Sequence, residues 1–182
     1  MTLYEKLCAK RKAEKQPRAP PSWTVRRSRR RKGGPRGFDG AKLIKGRKRF
    51  ILVDTLGLLL KVLVTEANIG EREGGTWLLT SVHGRFPRLE LVWVDGGFAG
   101  QAFETRMQAE CAVKIEVVNR PDGAKGFVLL PRRWVVERTL AWFGNYRRLS
   151  KDYEYSVYSS DAMIYAAMIH LMVRRLARLR AA

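Results

Sequence analysis

A mixed α/β domain, a small sheet flanked by helices, is the fold class this sequence predicts. Three observations predict it. Two apolar runs rich in β-branched residues, 50–53 and 58–65, stand on either side of Asp54-Thr55-Leu56-Gly57. A further apolar run, 89–94, stops abruptly at Asp95-Gly96-Gly97. Between and beyond these runs the apolar residues recur at helical spacing rather than alternating, so strands and helices are interleaved along one chain.

The elements follow in order. Residues 1–46 show little apolar periodicity, prolines cluster at Pro17, Pro20 and Pro21, and 26–32 are nearly all basic, so this stretch reads as a mostly irregular basic arm ahead of a domain at 47–182. The two runs after Arg49 read as a β-hairpin, well buried because their alternation is weak. Residues 71–83 read as a helix interrupted by Gly74 and Gly75, and 89–94 as a strand. A helix over 98–110 would gather Phe98, Ala102, Phe103 and Met107 on one face, and 113–118 is another strand. Residues 119–126 read as loop. Pro131 can open a helix, where its missing N–H is of no consequence, and this helix runs to about 148. Its Trp134 and Trp142 share the spacing of Val135 and Leu140, which points to core packing rather than base stacking. A last helix, 160–180, would turn Met163, Ala167, Leu171 and Leu176 inward. It carries Arg174, Arg175, Arg178 and Arg180 near its C-terminus, where cations suit the helix dipole.

Composition narrows the partner. The chain has 182 residues, 46% of them apolar, enough for one domain with a sizeable core. Lys and Arg number 36 against 17 Asp and Glu, a net +19 that favours a polyanion and makes nucleic acid the leading candidate. Most of the excess lies in the first 50 residues, whose only acids are Glu5, Glu14 and Asp39. Cys8 and Cys111 stand far apart and suggest neither a zinc site nor a disulfide framework, which fits a reducing cytoplasm. No apolar run approaches a membrane span, and no signal peptide is evident, so a soluble intracellular protein is expected.

Two carboxylates are candidates for chemistry. Asp95 stands at the C-terminal end of a buried strand, where open α/β sheets expose ligand sites, although an Asp there also starts turns and caps helices. Glu137 lies in a helix among Arg132, Arg133 and Arg138, a setting that by itself describes a surface ion pair. A strong positive charge, a strand-end Asp and a helix Glu together suit phosphodiester cleavage, in which carboxylates hold two divalent cations.

The residues 45–58, beginning Lys45-Gly46-Arg47-Lys48-Arg49-Phe50-Ile51-Leu52-Val53-Asp54, closely resemble the DDE transposases of bacterial insertion sequences. The similarity continues through Val94-Asp95-Gly96-Gly97-Phe98-Ala99-Gly100, through Pro131-Arg132-Arg133-Trp134-Val135-Val136-Glu137-Arg138-Thr139-Leu140-Ala141-Trp142, and through Tyr146-Arg147-Arg148-Leu149-Ser150-Lys151-Asp152-Tyr153-Glu154. The resemblance implies a ribonuclease H-like fold in which three acids from separate elements bind two magnesium (or manganese) ions to cut and rejoin transposon ends. It places the second acid on Asp95 and the third on Glu137. It also implies double-stranded DNA as partner and a homo-oligomer acting on paired ends, and it sets Arg133 at the basic position before the glutamate, with Arg138, Arg147, Arg148 and Lys151 as further candidates to meet DNA phosphates. Two positions depart from the family's wider signature, Leu130 where a Tyr is usual and Gly144 where a Lys is usual.

The first acid is the larger departure. Relatives carry it in an Asp-Ser-Gln-Ser-Val-Lys-Thr segment shortly before a stretch like Lys32-Gly33-Gly34-Pro35-Arg36-Gly37, but here Ser22-Trp23-Thr24-Val25-Arg26-Arg27-Ser28-Arg29-Arg30 occupies that place. A frameshift accounts for this. Trp is encoded only by TGG and Thr by ACN, so reading from the third base of each codon forces GAC, aspartate, across Trp23 and Thr24, and the same frame permits Ser-Gln-Thr-Val-Lys-Thr after it. The expectation is therefore an N-terminally truncated, frameshifted transposase that retains Asp95 and Glu137 and is impaired or inactive. Two alternatives stand beside it: a non-catalytic DNA-binding remnant that represses or joins an intact transposase, and an active enzyme whose acid comes from an upstream product. Asp54, the remaining strand-associated acid, reads as a turn former.

Overall fold

The hairpin is the backbone of the fold. In the computed structural model, which describes residues 2–3, 34–119 and 134–180, strands β3 (Ile44–Val53) and β4 (Leu59–Glu66) pair antiparallel, with Phe50 opposite Leu63 and Arg47 opposite Glu66. The Asp54 carboxylate closes the turn between them by accepting from the N–H groups of Leu56 (2.9 Å) and Leu58 (2.7 Å). Gly57 completes it at φ +79°, a left-handed conformation that a β-carbon disfavours.

Strand β3 begins earlier than the expected irregular arm allows. A three-residue strand, β2 (Gly37–Asp39), pairs antiparallel with its start, Phe38 opposite Lys45. Asp39 caps the intervening turn, accepting from Ala41 and Lys42 N–H at 3.1 and 3.2 Å. So short a strand leaves no alternation to read, and the structure corrects that expectation over 37–46. The rest of the predicted arm, apart from a two-residue strand β1 (Thr2–Leu3), lies outside the described residues up to Gly33.

Helices cover both faces of the sheet. Even-numbered β3 residues Phe50 and Leu52 join Val92 and Val94 of β5 (Leu91–Val94) and Ile115 of β6 (Lys114–Val117) in one core, under α1 (Glu71–Thr80) and α2 (Gln101–Cys111). Odd-numbered Ile51 and Val53 join Val62 and Val64 in a second core, under α3 (Trp134–Gly144) and α4 (Val157–Arg180). This explains the weak alternation of the hairpin, since both of its faces are buried. Helix α1 runs straight through Gly74 and Gly75. A β-carbon on Gly74 would lie 2.2 Å from the Phe50 ring, so the glycine lets the helix pack directly against that ring. Phe98, expected inside the α2 helix, instead sits in a short 3-10 turn, Gly96–Phe98, and packs edge-on to Phe50.

The strands run in the order β2-β3-β1-β5-β6, with β4 on β3. Strand β1 is parallel to β3 and antiparallel to β5, and β5 is parallel to β6. Strand β4 is an edge among the described residues, and α4 guards it. Asp161 accepts from Val64 N–H (2.9 Å) and, one helical turn on, the Tyr165 hydroxyl accepts from Val62 N–H (3.3 Å), which removes two donors that another strand could use.

Helix α4 starts at Val157, where the Ser156 hydroxyl accepts from Tyr158 N–H at 3.2 Å. Its inward face is Ile164, Ala167 and Met168, with Met163 and Leu171 partly covered. Leu176 faces out at 60% exposure, against expectation, because the C-terminal half of this helix outruns the body it packs on. Trp134 packs against the second core as expected. Trp142 carries two guanidinium groups over its ring, Arg138 at 4.9 Å and Arg175 at 4.1 Å from its centre. Pro131 and the predicted start of α3 lie outside the described residues.

Candidate active site

Asp95 follows the last residue of β5 in extended conformation and is exposed. One of its oxygens accepts from Gly97 N–H at 3.0 Å and caps the 3-10 turn. The capping reading of Asp95 therefore holds, as an Asp at a strand end often caps the turn that follows.

Glu71, at the start of α1, comes up beside this turn. A β-carbon on Gly97 would lie 3.1 Å from the Glu71 stem and 3.2 Å from the Asp95 carboxylate. Glu71 is held by Lys48 Nζ at 3.2 Å, and Lys48, nearly fully buried, also donates to the Ile69 carbonyl (2.8 Å) and faces Asp39 at 3.7 Å. Burial works against the Asp39 carboxylate, but the Lys42 N–H and the Lys48 ammonium outweigh it and hold its pKa below the usual range. Sequence reasoning missed Lys48 and Glu71. Lys48 stands in the basic stretch Lys45-Gly46-Arg47-Lys48-Arg49, which reads as a solvated face, so nothing local marked it as buried.

Glu137 lies on α3 and is exposed, off the buried line of Val135, Thr139 and Phe143. The two residues after it are fixed to the hairpin turn. Arg138 donates to the Leu56 carbonyl (2.8 Å) and lies 4.2 Å from the Trp134 ring centre, and Thr139 Oγ donates to the Gly57 carbonyl (2.7 Å). Asp54, in that turn, is a structural residue: burial raises its pKa against the two turn N–H groups, with Arg175 and Arg138 adding attraction.

The remaining predicted bases separate. Arg133 lies outside the described residues. Arg147 and Lys151 are exposed, whereas Arg148 pairs with Glu154 at 2.8 Å. Among the described residues, no group of three or more His, Cys, Asp or Glu side chains gathers as a metal-binding set. Asp95 and Glu137 offer the hard carboxylate oxygens that magnesium takes, but they do not amount to a complete donor set.

Helices on both faces of a mixed sheet, with an acid at the carboxyl end of β5, define an α/β protein of the class whose sites open at strand ends. The profile of the transposase DDE domain matches residues 19–172, and the chain belongs to that family, the DDE transposases of insertion sequences, with a ribonuclease H-like fold. Proteins of this family serve DNA transposition and generally use divalent metal ions. Comparison with curated proteins and with solved structures gave no match. No described helix is long and apolar enough to cross a membrane.

Proposed function

We propose that the chemistry built into this fold is metal-dependent phosphodiester cleavage and strand transfer at insertion-sequence ends, carried by Asp95 and Glu137, and that the chain as written is impaired because the first acid is missing. The observation that carries this is Asp95 itself, an exposed carboxylate at the carboxyl end of β5, inside the span that the transposase DDE domain matches. Divalent cations, when bound, supply activation of the attacking oxygen and charge stabilisation of the leaving one. The residues present do not complete that site, so each acid is assigned only what its position supports. Asp95 offers an oxygen at the strand mouth, and Glu137 offers a carboxylate on a helix locked to the hairpin turn.

The frameshift accounts for the missing acid, and a coding sequence without GAC across the Trp23–Thr24 junction in the shifted frame contradicts it. Manganese titration calorimetry tests the metal reading. The chain as written should bind Mn2+ weakly, and a version with the Asp-Ser-Gln segment restored should bind much more tightly in a manner lost in Asp95→Ala. Equal binding by the two versions rejects the missing-acid account.

A second reading has support in the charge. With a net +19, the chain can hold DNA without cutting it, as a repressor of an intact transposase or a subunit mixed with one. Salt-sensitive DNA binding that persists in a chain unable to cut distinguishes this role. Assembly as a homo-oligomer on paired ends and residence on the nucleoid belong to the same proposal.

A further inference from the structure

Between the 3-10 turn Arg147–Leu149 and the start of α4, exposure alternates. Lys151, Tyr153 and Tyr155 face outward while Asp152 and Glu154 turn in. Tyr153 is 49% exposed, Tyr155 71%, and Tyr158, in the first turn of α4, 80%. Three largely uncovered aromatic rings within so short a stretch offer apolar faces, each with a polar tip, to a ligand that stacks.

The charges are sorted by the same alternation. Asp152 meets Arg47 at 3.2 Å and accepts from the Ser160 hydroxyl at 2.7 Å, and Glu154 is paired with Arg148. Both acids are answered from the protein, leaving the outward side aromatic and, through Arg147 and Lys151, cationic. Arg47 also fixes the backbone, since its buried guanidinium donates to the carbonyls of Glu154 (3.0 Å), Tyr155 and Ser156 (3.4 Å), and of Pro35 (2.9 Å) on the neighbouring segment. The tyrosines are therefore presented by an already ordered segment, and a ligand need not order it.

We infer that Tyr153, Tyr155 and Tyr158 form a stacking platform for unpaired DNA bases, with Arg147 and Lys151 meeting the adjoining phosphates. Aromatic rings interleaved with bases are the recurring means of holding a single strand without reading its sequence. Opened or frayed DNA at a cut end has the unstacked bases such a platform takes. The inference rests on DNA as the partner and goes beyond it in naming the strand form and the residues.

The test uses the full chain. Fluorescent single-stranded and duplex oligonucleotides are titrated over a salt series against the parent, against Tyr153→Ala, Tyr155→Ala and Tyr158→Ala singly and together, and against Lys151→Ala. Each tyrosine change should weaken single-strand binding about tenfold without altering the salt slope, and should leave duplex binding nearly unchanged. Lys151→Ala should lower the slope by roughly one on both forms. Photocrosslinking to bromouracil-substituted single strands should label the peptide containing 153–158. Parent-like single-strand binding by the triple variant, or equal losses on duplex and single strand, overturns the platform while leaving DNA binding intact. A parent chain that binds neither form overturns the DNA reading along with it.

Discussion

The hydroxyl of Thr139, in a fully buried side chain, donates to the carbonyl of Gly57 at 2.7 Å and so joins the helix of Glu137 to the turn of the hairpin. The same hydroxyl reaches the Val135 carbonyl within its own helix. Thr139→Val keeps the shape and removes the donor, leaving the Gly57 carbonyl buried without that partner. The expected loss is about 1–3 kcal/mol of stability, read as a lower midpoint in urea at unchanged slope. Gly57→Ala should also destabilise, because the turn needs a left-handed residue and a β-carbon would lie 2.7 Å from Thr139 Oγ.

Arg47 is the most heavily committed cation in the described structure, with only 2% of its side chain exposed. Arg47→Met should destabilise by roughly 3–5 kcal/mol, because Asp152 would keep a partly buried charge without its partner. Hydrogen exchange should show the loss of protection first at residues 152–160, which this guanidinium ties to the sheet.

Burial raises the pKa of Asp161 to about 6, against its hydrogen bond from Val64 N–H and the charge of Lys61, with Asp152 adding to the rise. The folded state therefore keeps this proton after the unfolded chain has released it near 3.8. The associated stabilisation is complete below that pH and is lost as pH rises through about 6. Screening at this half-exposed site limits the effect to about 1 kcal/mol. Asp161→Asn retains an acceptor for Val64 and should flatten that part of the pH–stability curve while raising stability at pH 7, as thermal melts across pH 4–7 would reveal.

Two apolar residues on α4 should behave differently. Ile164, 1% exposed, should lose about 2–5 kcal/mol on replacement by Ala. Leu176→Gln, on the exposed stripe, should stay within about 0.5 kcal/mol. Comparable losses at both sites would show that the outer half of the helix is covered in solution.

Much of this was legible in the sequence. The hairpin and strand β5 announce themselves because β-branched runs are bounded by turn residues, and Asp95 is found at once where such a run stops. The pairing of Lys48 with Glu71 is a tertiary event that joins a strand to a helix start, and no local pattern encodes it. Strand β2 was missed because three residues carry no period. Leu176 was placed inward because helical spacing identifies an apolar face without saying how far the body extends to cover it. Basic residues alone do not tell which cations are free: Arg138 is taken up by the Leu56 carbonyl and two tryptophans, and Arg148 by Glu154, pairings that only the fold creates.

A nicking assay on the element's end DNA in Mg2+ or Mn2+ tests the central claim most directly, comparing the chain as written, the chain with its Asp segment restored, and the restored chain carrying Asp95→Ala or Glu137→Ala. Cutting by the restored chain alone, abolished by either alanine change, is the expected result. Cutting by the chain as written, or cutting that survives both alanine changes, would contradict it.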